Sequence, residues 1–179
     1  MEFEVQEYCT PSFDKSQVES IARLELAAFP GNRTLEERIQ RVASTDCEPN
    51  HKRFVIWQDG KAVAAARTFH RAVFVAGGEF NVLALASVCS DPDFRGQGLG
   101  RMVVTAAFGD VDNGATDLSL FQTGVPVFYE KLDCKLIENE IVNRKSSKTG
   151  SPFDDKHVMI YPARFDWPAG TVDLNGEGY

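Results

Sequence analysis

Arg95-Gly96-Gln97-Gly98-Leu99-Gly100 is the stretch of this chain best equipped to hold a ligand. Glycine lets a backbone run close to a bound group without Cβ clashes. The amides that open a helix have no internal partners and sit at the positive end of its dipole. A glycine run opening a helix therefore suits a phosphate or pyrophosphate. Arg95 and Arg101 bracket it with positive charge. The spacing excludes two common phosphate loops. A dinucleotide fingerprint needs G-x-G-x-x-G, and this chain has G-x-G-x-G. A P-loop needs Lys and then Ser or Thr after its last glycine, and Arg101-Met102 stands there.

The flanking elements must present this loop. Leu83-Ala84-Leu85-Ala86-Ser87-Val88-Cys89-Ser90 is nearly all apolar or small and reads as a buried strand. Asp91-Pro92 turns the chain. Leu99, Met102, Val103, Ala106 and Ala107 follow at i, i+3, i+4, i+7 and i+8, the apolar stripe of a helix.

Upstream, Phe3 to Tyr8 alternates as a strand. Ser12 or Asp14 caps a helix that carries Val18, Ile21, Ala22, Leu24, Glu25 and Ala28. Phe29-Pro30-Gly31-Asn32 breaks it. Thr34 and Glu37 are spaced as a capping box for a second helix running to about Ala43. Strands are expected at Phe54–Trp57, Val63–Val75 and Phe80–Ser90. Asp59-Gly60 and Ala76-Gly77-Gly78-Glu79 supply the hairpin turns. The alanine run in the second strand is poor strand material and leaves its ends open.

Downstream, Asp117–Phe121 reads as a short strand, and Pro126 opens a helix with Val127, Phe128, Tyr129 and Leu132. Cys134–Val142 and His157–Tyr161 read as strands around a polar loop, Asn143–Lys156. Pro162 to Tyr179 has little periodicity and reads as a tail packed on the surface or partly disordered. The expectation is one domain over 1–163 and a C-terminal tail over 164–179. The order β-α-α-β-β-β-α-β-α-β-β implies an α/β class with a mixed sheet.

A chain of 179 residues can bury a real core. Its net charge of −7 argues against non-specific nucleic-acid binding and favours cationic partners by steering. Cys9, Cys47, Cys89 and Cys134 are widely separated with no C-x-x-C pair, and His51, His70 and His157 are isolated. Neither a metal site nor a disulfide framework is expected. The start lacks the basic and apolar regions of a signal peptide. No apolar run approaches membrane-spanning length. A reducing cytoplasm is the default compartment.

The R-x-x-G-x-G segment, after a strand and opening a helix, resembles the acetyl-CoA signature of the GCN5-related N-acetyltransferases (GNAT). Phe128-Tyr129-Glu130-Lys131-Leu132-Asp133-Cys134 is similar to that family's second signature, F-Y-x-K-x-G-F. Asp133 and Cys134 replace its glycine and aromatic. The element order is also that of the family's acyl-CoA N-acyltransferase fold. Within the family, Ala72–Arg101 and Asp166-Trp167-Pro168-Ala169-Gly170 are similar to the aminoglycoside N-acetyltransferases that modify a two-prime amine. Ala86 stands where those carry a glutamate, and Thr171-Val172-Asp173 replace their closing acidic and aromatic residues.

The resemblance implies acetyl-CoA as co-substrate, with coenzyme A as product. It places the pyrophosphate on Arg95, Gly96, Gln97, Gly98, Leu99, Gly100 and Arg101. It implies that Val88 and Ser90 bond the pantetheine arm through their backbone, with the Val88 amide steadying the thioester carbonyl. It makes Tyr129 the general acid. A phenol of pKa near ~10 stays protonated at neutral pH and still yields its proton to a basic thiolate. Phe29, Glu79 and Asp154 are the candidate acceptor contacts, each with a plainer reading. Phe29 is also read as a helix-end core anchor, Glu79 as a surface residue, and Asp154 as a loop carboxylate facing water. Ala86 leaves the general base unassigned, with Glu79 and His70 as candidates. Cys89 alternates away from Val88 and Ser90, which disfavours a nucleophilic role.

The expected reaction is direct attack, in a ternary complex, by the primary amine of a small cationic molecule, aminoglycoside-like or polyamine-like. Two other readings share the loop: a protein N-terminal or lysine acetyltransferase, and a non-catalytic acyl-CoA-binding module. No nucleic acid, membrane or metal partner is expected, and a homodimer stays open.

Overall fold

The structure is a computed structural model that describes residues 2–9, 13–31, 33–45, 50–147 and 150–179. Ser12, Asn32 and Cys47, named above, lie outside the described residues. The chain divides into two compact units. One comprises Met1–Phe69 with Ala86–Ala107, the other His70–Leu85 with Phe108–Tyr179.

In the first unit, β1 (Gln6–Cys9) pairs antiparallel with β2 (His51–Gln58), and β2 with the first part of β3 (Lys61–Val75). The last part of β4 (Gly78–Ser90) completes the strands. Helix α1 (Lys15–Ala28) starts at Asp14, whose carboxylate accepts from the amides of Ser16 at 2.8 Å and Gln17 at 2.9 Å. Helix α2 (Leu35–Thr45) has the expected capping box. The Thr34 amide donates to Glu37 Oε2 at 2.7 Å, and the Glu37 amide to Thr34 Oγ1 at 3.3 Å. The helix runs past Ala43 to Thr45. Asp59 and Gly60 both take positive φ, 49° and 75°, as a tight two-residue hairpin requires.

The alanines of β3 are explained by packing. Ala64, Ala65 and Ala66 have no exposed surface, and Ala62 and Ala65 lie in one cluster with Ile21, Leu24, Val42 and Cys89. Larger side chains would hold α1 off the strand. Ser20 Oγ closes the contact by accepting from the Ala62 amide at 2.8 Å. Close approach of helix and sheet outweighs the weak strand propensity of alanine.

Glu25 sits in the apolar stripe of α1 for a reason. It is 3 % exposed and its Oε1 meets Arg53 Nη1, itself 1 % exposed, at 2.7 Å. Removing one partner of a buried pair strands the other charge, a cost of about 3–5 kcal/mol. Glu25→Ala is therefore expected to lower unfolding free energy by that order, read as a drop in urea midpoint at constant slope. A shift as small as that of an exposed Glu19→Ala control would show that the pair carries no such penalty.

In the second unit, β4 pairs in parallel with β5 (Ser119–Thr123) at Leu83–Ser119 and Ala84–Leu120. β5 pairs antiparallel with β8 (His157–Tyr161), and β8 with β6 (Lys135–Ile137). β9 (Val172–Asp173) joins the end of β3 antiparallel and β7 (Ile141–Val142) in parallel. Helices α4 (Gly109–Asp112) and α5 (Pro126–Glu130) complete the unit. Its core gathers Val73, Val82, Leu118, Leu120, Ile160, Val172 and Leu174.

Several expected bounds move. Cys134–Val142 is two strands, because Asn139 turns out of the ladder between them. Its Nδ2 donates to the carbonyls of Pro168 at 3.0 Å and Gly170 at 2.6 Å, and its Oδ1 accepts from Trp167 Nε1 at 3.1 Å. α5 stops at Glu130, before Leu132. The Leu132 and Cys134 amides both turn back to the Tyr129 carbonyl, and Asp133 takes φ 61°. Residues 164–179 are not a surface appendage along their whole length: Val172 and Leu174 are fully buried.

Candidate active site

The candidate residues divide between the units. Phe29, Val88, Ser90 and Arg95–Arg101 belong to the first, and Glu79, Tyr129 and Asp154 to the second.

The loop of the first unit is built on β4. Ser87 has φ 51°, an unusual angle for a residue with a Cβ inside a strand, and shifts the alternation of side chains. Beyond it Cys89 is buried in the cluster against α1, whereas Val88 and Ser90 are part-exposed. Burial pushes the Cys89 thiol far up, which keeps it protonated and unreactive. The Asp91 amide donates to the Val63 carbonyl at 2.8 Å, and its carboxylate caps a short 3-10 turn, Pro92–Phe94, through the Asp93 amide at 2.9 Å.

Gly96 and Gly98 both have φ 79°, and a Cβ on either would meet no atom within 4 Å. Open space over left-handed glycines is what a closely approaching ligand needs. Helix α3 (Leu99–Ala107) follows, and Met102 donates to the Gly98 carbonyl at 3.1 Å. The amides of Leu99, Gly100 and Arg101 thus precede the helical ladder. Leu99, Val103, Val104 and Ala107 anchor the helix, while Arg95 and Arg101 are exposed. These residues fit a pyrophosphate on geometry and charge.

Phe29 ends α1, with its amide on the Glu25 carbonyl at 2.9 Å and its own carbonyl accepting from Arg38 Nη2 at 2.6 Å. Its side chain is 41 % exposed, so it is not a core anchor.

In the second unit Tyr129 is buried on α5, where Pro126 occupies the first turn. Its ring packs against Phe121 at 4.7 Å and Phe128 at 4.9 Å between centroids. Glu79 is exposed near the start of β4. His70 is half-buried. Its Nε2 is 3.8 Å from Asp110 Oδ2, and its Nδ1 is buried with no partner among the described residues. Asp154 is exposed on a cleft of ≈ 490 Å³ also lined by Glu138, Glu140, Asp155 and Lys156.

The positive φ of Ser87 was not legible, since serine signals no bulge. The Asn139–Trp167 bond was not legible, since the Asp-Trp-Pro-Ala-Gly motif names no partner for its indole. Among the described residues no helix is long and apolar enough to cross a membrane.

The family model "Acetyltransferase (GNAT) domain" matches residues 12–137. The chain belongs to this family, and its mixed α/β architecture is the acyl-CoA N-acyltransferase fold. Solved structures agree on the fold. ElaA of Escherichia coli is 15 % identical, with a TM-score of 0.60 over 89 % of this chain and 98 % of its own. Glucosamine-6-phosphate N-acetyltransferase of Arabidopsis thaliana is 21 % identical, with a TM-score of 0.56 over 87 % and 100 %. A probable N-acyltransferase of Enterococcus faecalis V583 is 17 % identical, with a TM-score of 0.62 over 75 % of this chain but 33 % of its own. The chain thus spans about a third of that larger protein. A search of curated protein sequences returns no match.

Proposed function

We propose that this chain is an acetyl-CoA-dependent N-acetyltransferase that acetylates the primary amine of a small cationic molecule in the cytoplasm. The observation that carries the reading is the loop of two open, left-handed glycines leading into α3, flanked by Arg95 and Arg101. When bound, the thioester supplies the activated acetyl group. The amides from Gly96 to Arg101 hold the pyrophosphate, and the backbone of Val88 and Ser90 holds the pantetheine arm. The Val88 amide donates to the carbonyl oxygen as charge grows there. Tyr129 Oη holds the proton that the leaving sulfur takes. His70, beside Asp110, is a better candidate than exposed Glu79 for removing the amine's proton.

A cationic acceptor is supported by the net charge of −7 and by the carboxylates of Glu138, Glu140, Asp154 and Asp155 around one cleft. Phe29 supplies an exposed ring on the α1–α2 link. The test is thiol release from acetyl-CoA against aminoglycosides, polyamines, neutral arylamines and peptides. At low salt, steering should favour the cationic amines in kcat/KM by about tenfold or more. Raised salt should shrink that advantage. Preference for arylamines or peptides at both salt levels would overturn the acceptor assignment. Coenzyme binding with no thiol release from any amine would favour the binding module.

A further inference from the structure

Helix α2 turns an apolar stripe toward the core of the first unit. Leu35, Ile39 and Val42 supply it at i, i+4 and i+7, and Arg38 stands in the same stripe at i+3. Arg38 is 7 % exposed. Its Nη2 donates to the Phe29 carbonyl at 2.6 Å, and its Nε is buried with no hydrogen-bond partner. Buried charges are normally paired. Glu25, in the stripe of α1, shows the usual solution, with Arg53 Nη1 at 2.7 Å. Where Glu25 has an opposite charge, Arg38 has a neutral carbonyl. A guanidinium carries five N–H donors and a full charge. One carbonyl answers one donor and balances none of the charge.

The surroundings add to the excess. Arg41 follows Arg38 at i+3 on α2, so the two side chains are neighbours on the helix surface. Burial, and then the charge of Arg33, pull the Arg41 guanidinium below its usual range. Arg38 and Arg53 act in the same direction, and Glu25 opposes them. Among the described residues that act on Arg41, then, three are arginines and one is a carboxylate, in a chain of net charge −7. Glu37, in the first turn of α2, is engaged by Thr34 in the capping box. Exposure rises from buried Arg38 through half-buried Arg41 to exposed Arg33, so the group opens to solvent. The planar fork of arginine matches the paired oxygens of a phosphate or carboxylate. Such an anion answers both wants of Arg38, the open donor and the unbalanced charge.

We propose that Arg38, with Arg41 and Arg33, forms an oxyanion site on the α1–α2 side of the first unit, built from residues other than those of the glycine loop. The site does not depend on the acetyltransferase reading. A free phosphate and a phosphate borne by an amine acceptor present the same group, and two arms of one experiment tell them apart.

The first arm titrates inorganic phosphate by calorimetry into the full chain saturated with coenzyme A, which keeps the glycine loop from being the site read. The parent should bind phosphate. Arg38→Met should weaken binding at least about tenfold, since a charge-assisted contact is lost. Arg23→Met, at an exposed arginine of α1, should bind as the parent does. Phosphate should also raise the urea midpoint of the parent and leave that of Arg38→Met in place. If Arg38→Met does not fold, Arg41→Met is read instead, with the same expectation. The second arm measures thiol release from acetyl-CoA with ethanolamine and with phosphoethanolamine. A higher kcat/KM for the phosphorylated amine, lost in Arg38→Met, assigns the site to the acceptor. Equal kcat/KM beside Arg38-dependent phosphate binding assigns it to a free anion. Absence of phosphate binding by the parent, or equal binding by the parent, Arg38→Met and Arg23→Met, overturns the site. Calorimetry needs no turnover, so absence of thiol release from every amine fails the acetyltransferase reading and leaves the site to be judged on binding.

Discussion

Tyr129→Phe is expected to lower turnover by at least about 100-fold and to leave coenzyme A affinity unchanged, because general acid catalysis contributes about 10²–10⁴-fold. The substitution is conservative where packing is concerned. The ring lies between Phe121 and Phe128 at centroid distances of 4.7 and 4.9 Å, and phenylalanine keeps both contacts. What it removes is the hydroxyl, the group proposed to protonate the leaving thiolate. The effect should therefore fall on kcat with little change in KM, the signature of an interaction used in the transition state. It should also weaken with an acyl donor whose leaving thiol is more acidic, since a weaker base needs less help from an acid. Parent-like turnover by a folded Tyr129→Phe protein would assign the proton to another group.

The parts of the structure that were legible in the sequence are those whose causes are local. Asp14, one of two caps expected for α1, and Thr34 with Glu37 mark two helix starts within a few residues each. Asp59-Gly60 settles a hairpin because two successive residues must take positive φ. The passage of the glycine run into α3 was legible for the same reason, since the glycines and the apolar stripe after them lie in one short segment. What was not legible depends on partners far along the chain. Ala62 and Ala65 suit their strand because α1 packs closely against them. Cys134–Val142 breaks because Asn139 is claimed by Trp167, Pro168 and Gly170. The last residues show no periodicity because side-chain contacts hold them: Tyr179 reaches Leu120 across 59 positions and Arg71 reaches Glu177 across 106. Candidate contacts such as Glu79 and Asp154 carried the weakest cues, a carboxylate in a turn or loop, and both are exposed.

Gly98→Val separates binding from backbone strain when paired with a control in the same unit. Gly98 and Gly60 have nearly the same backbone, φ 79° and 75°, and neither has an atom within 4 Å of where a Cβ would stand. A side chain in the left-handed region costs about 1–2 kcal/mol at either position. Gly98→Val and Gly60→Val should therefore lose similar unfolding free energy in urea, and both should remain folded. Their ligand behaviour should differ. At Gly60 the new side chain projects from a hairpin turn far in sequence from the loop, and coenzyme A affinity should hold. At Gly98 it fills the open space over the amides that lead into α3, and it should keep the pyrophosphate from the site proposed for it there. Loss of even one charge-assisted hydrogen bond of about 1.5–3 kcal/mol raises Kd by about tenfold or more. Calorimetric titration of coenzyme A into the three proteins reads the difference. Equal affinity in all three, with Gly98→Val folded, would move the phosphate away from this loop. Equal loss in both variants would trace the effect to strain in the unit and not to contact at Gly98.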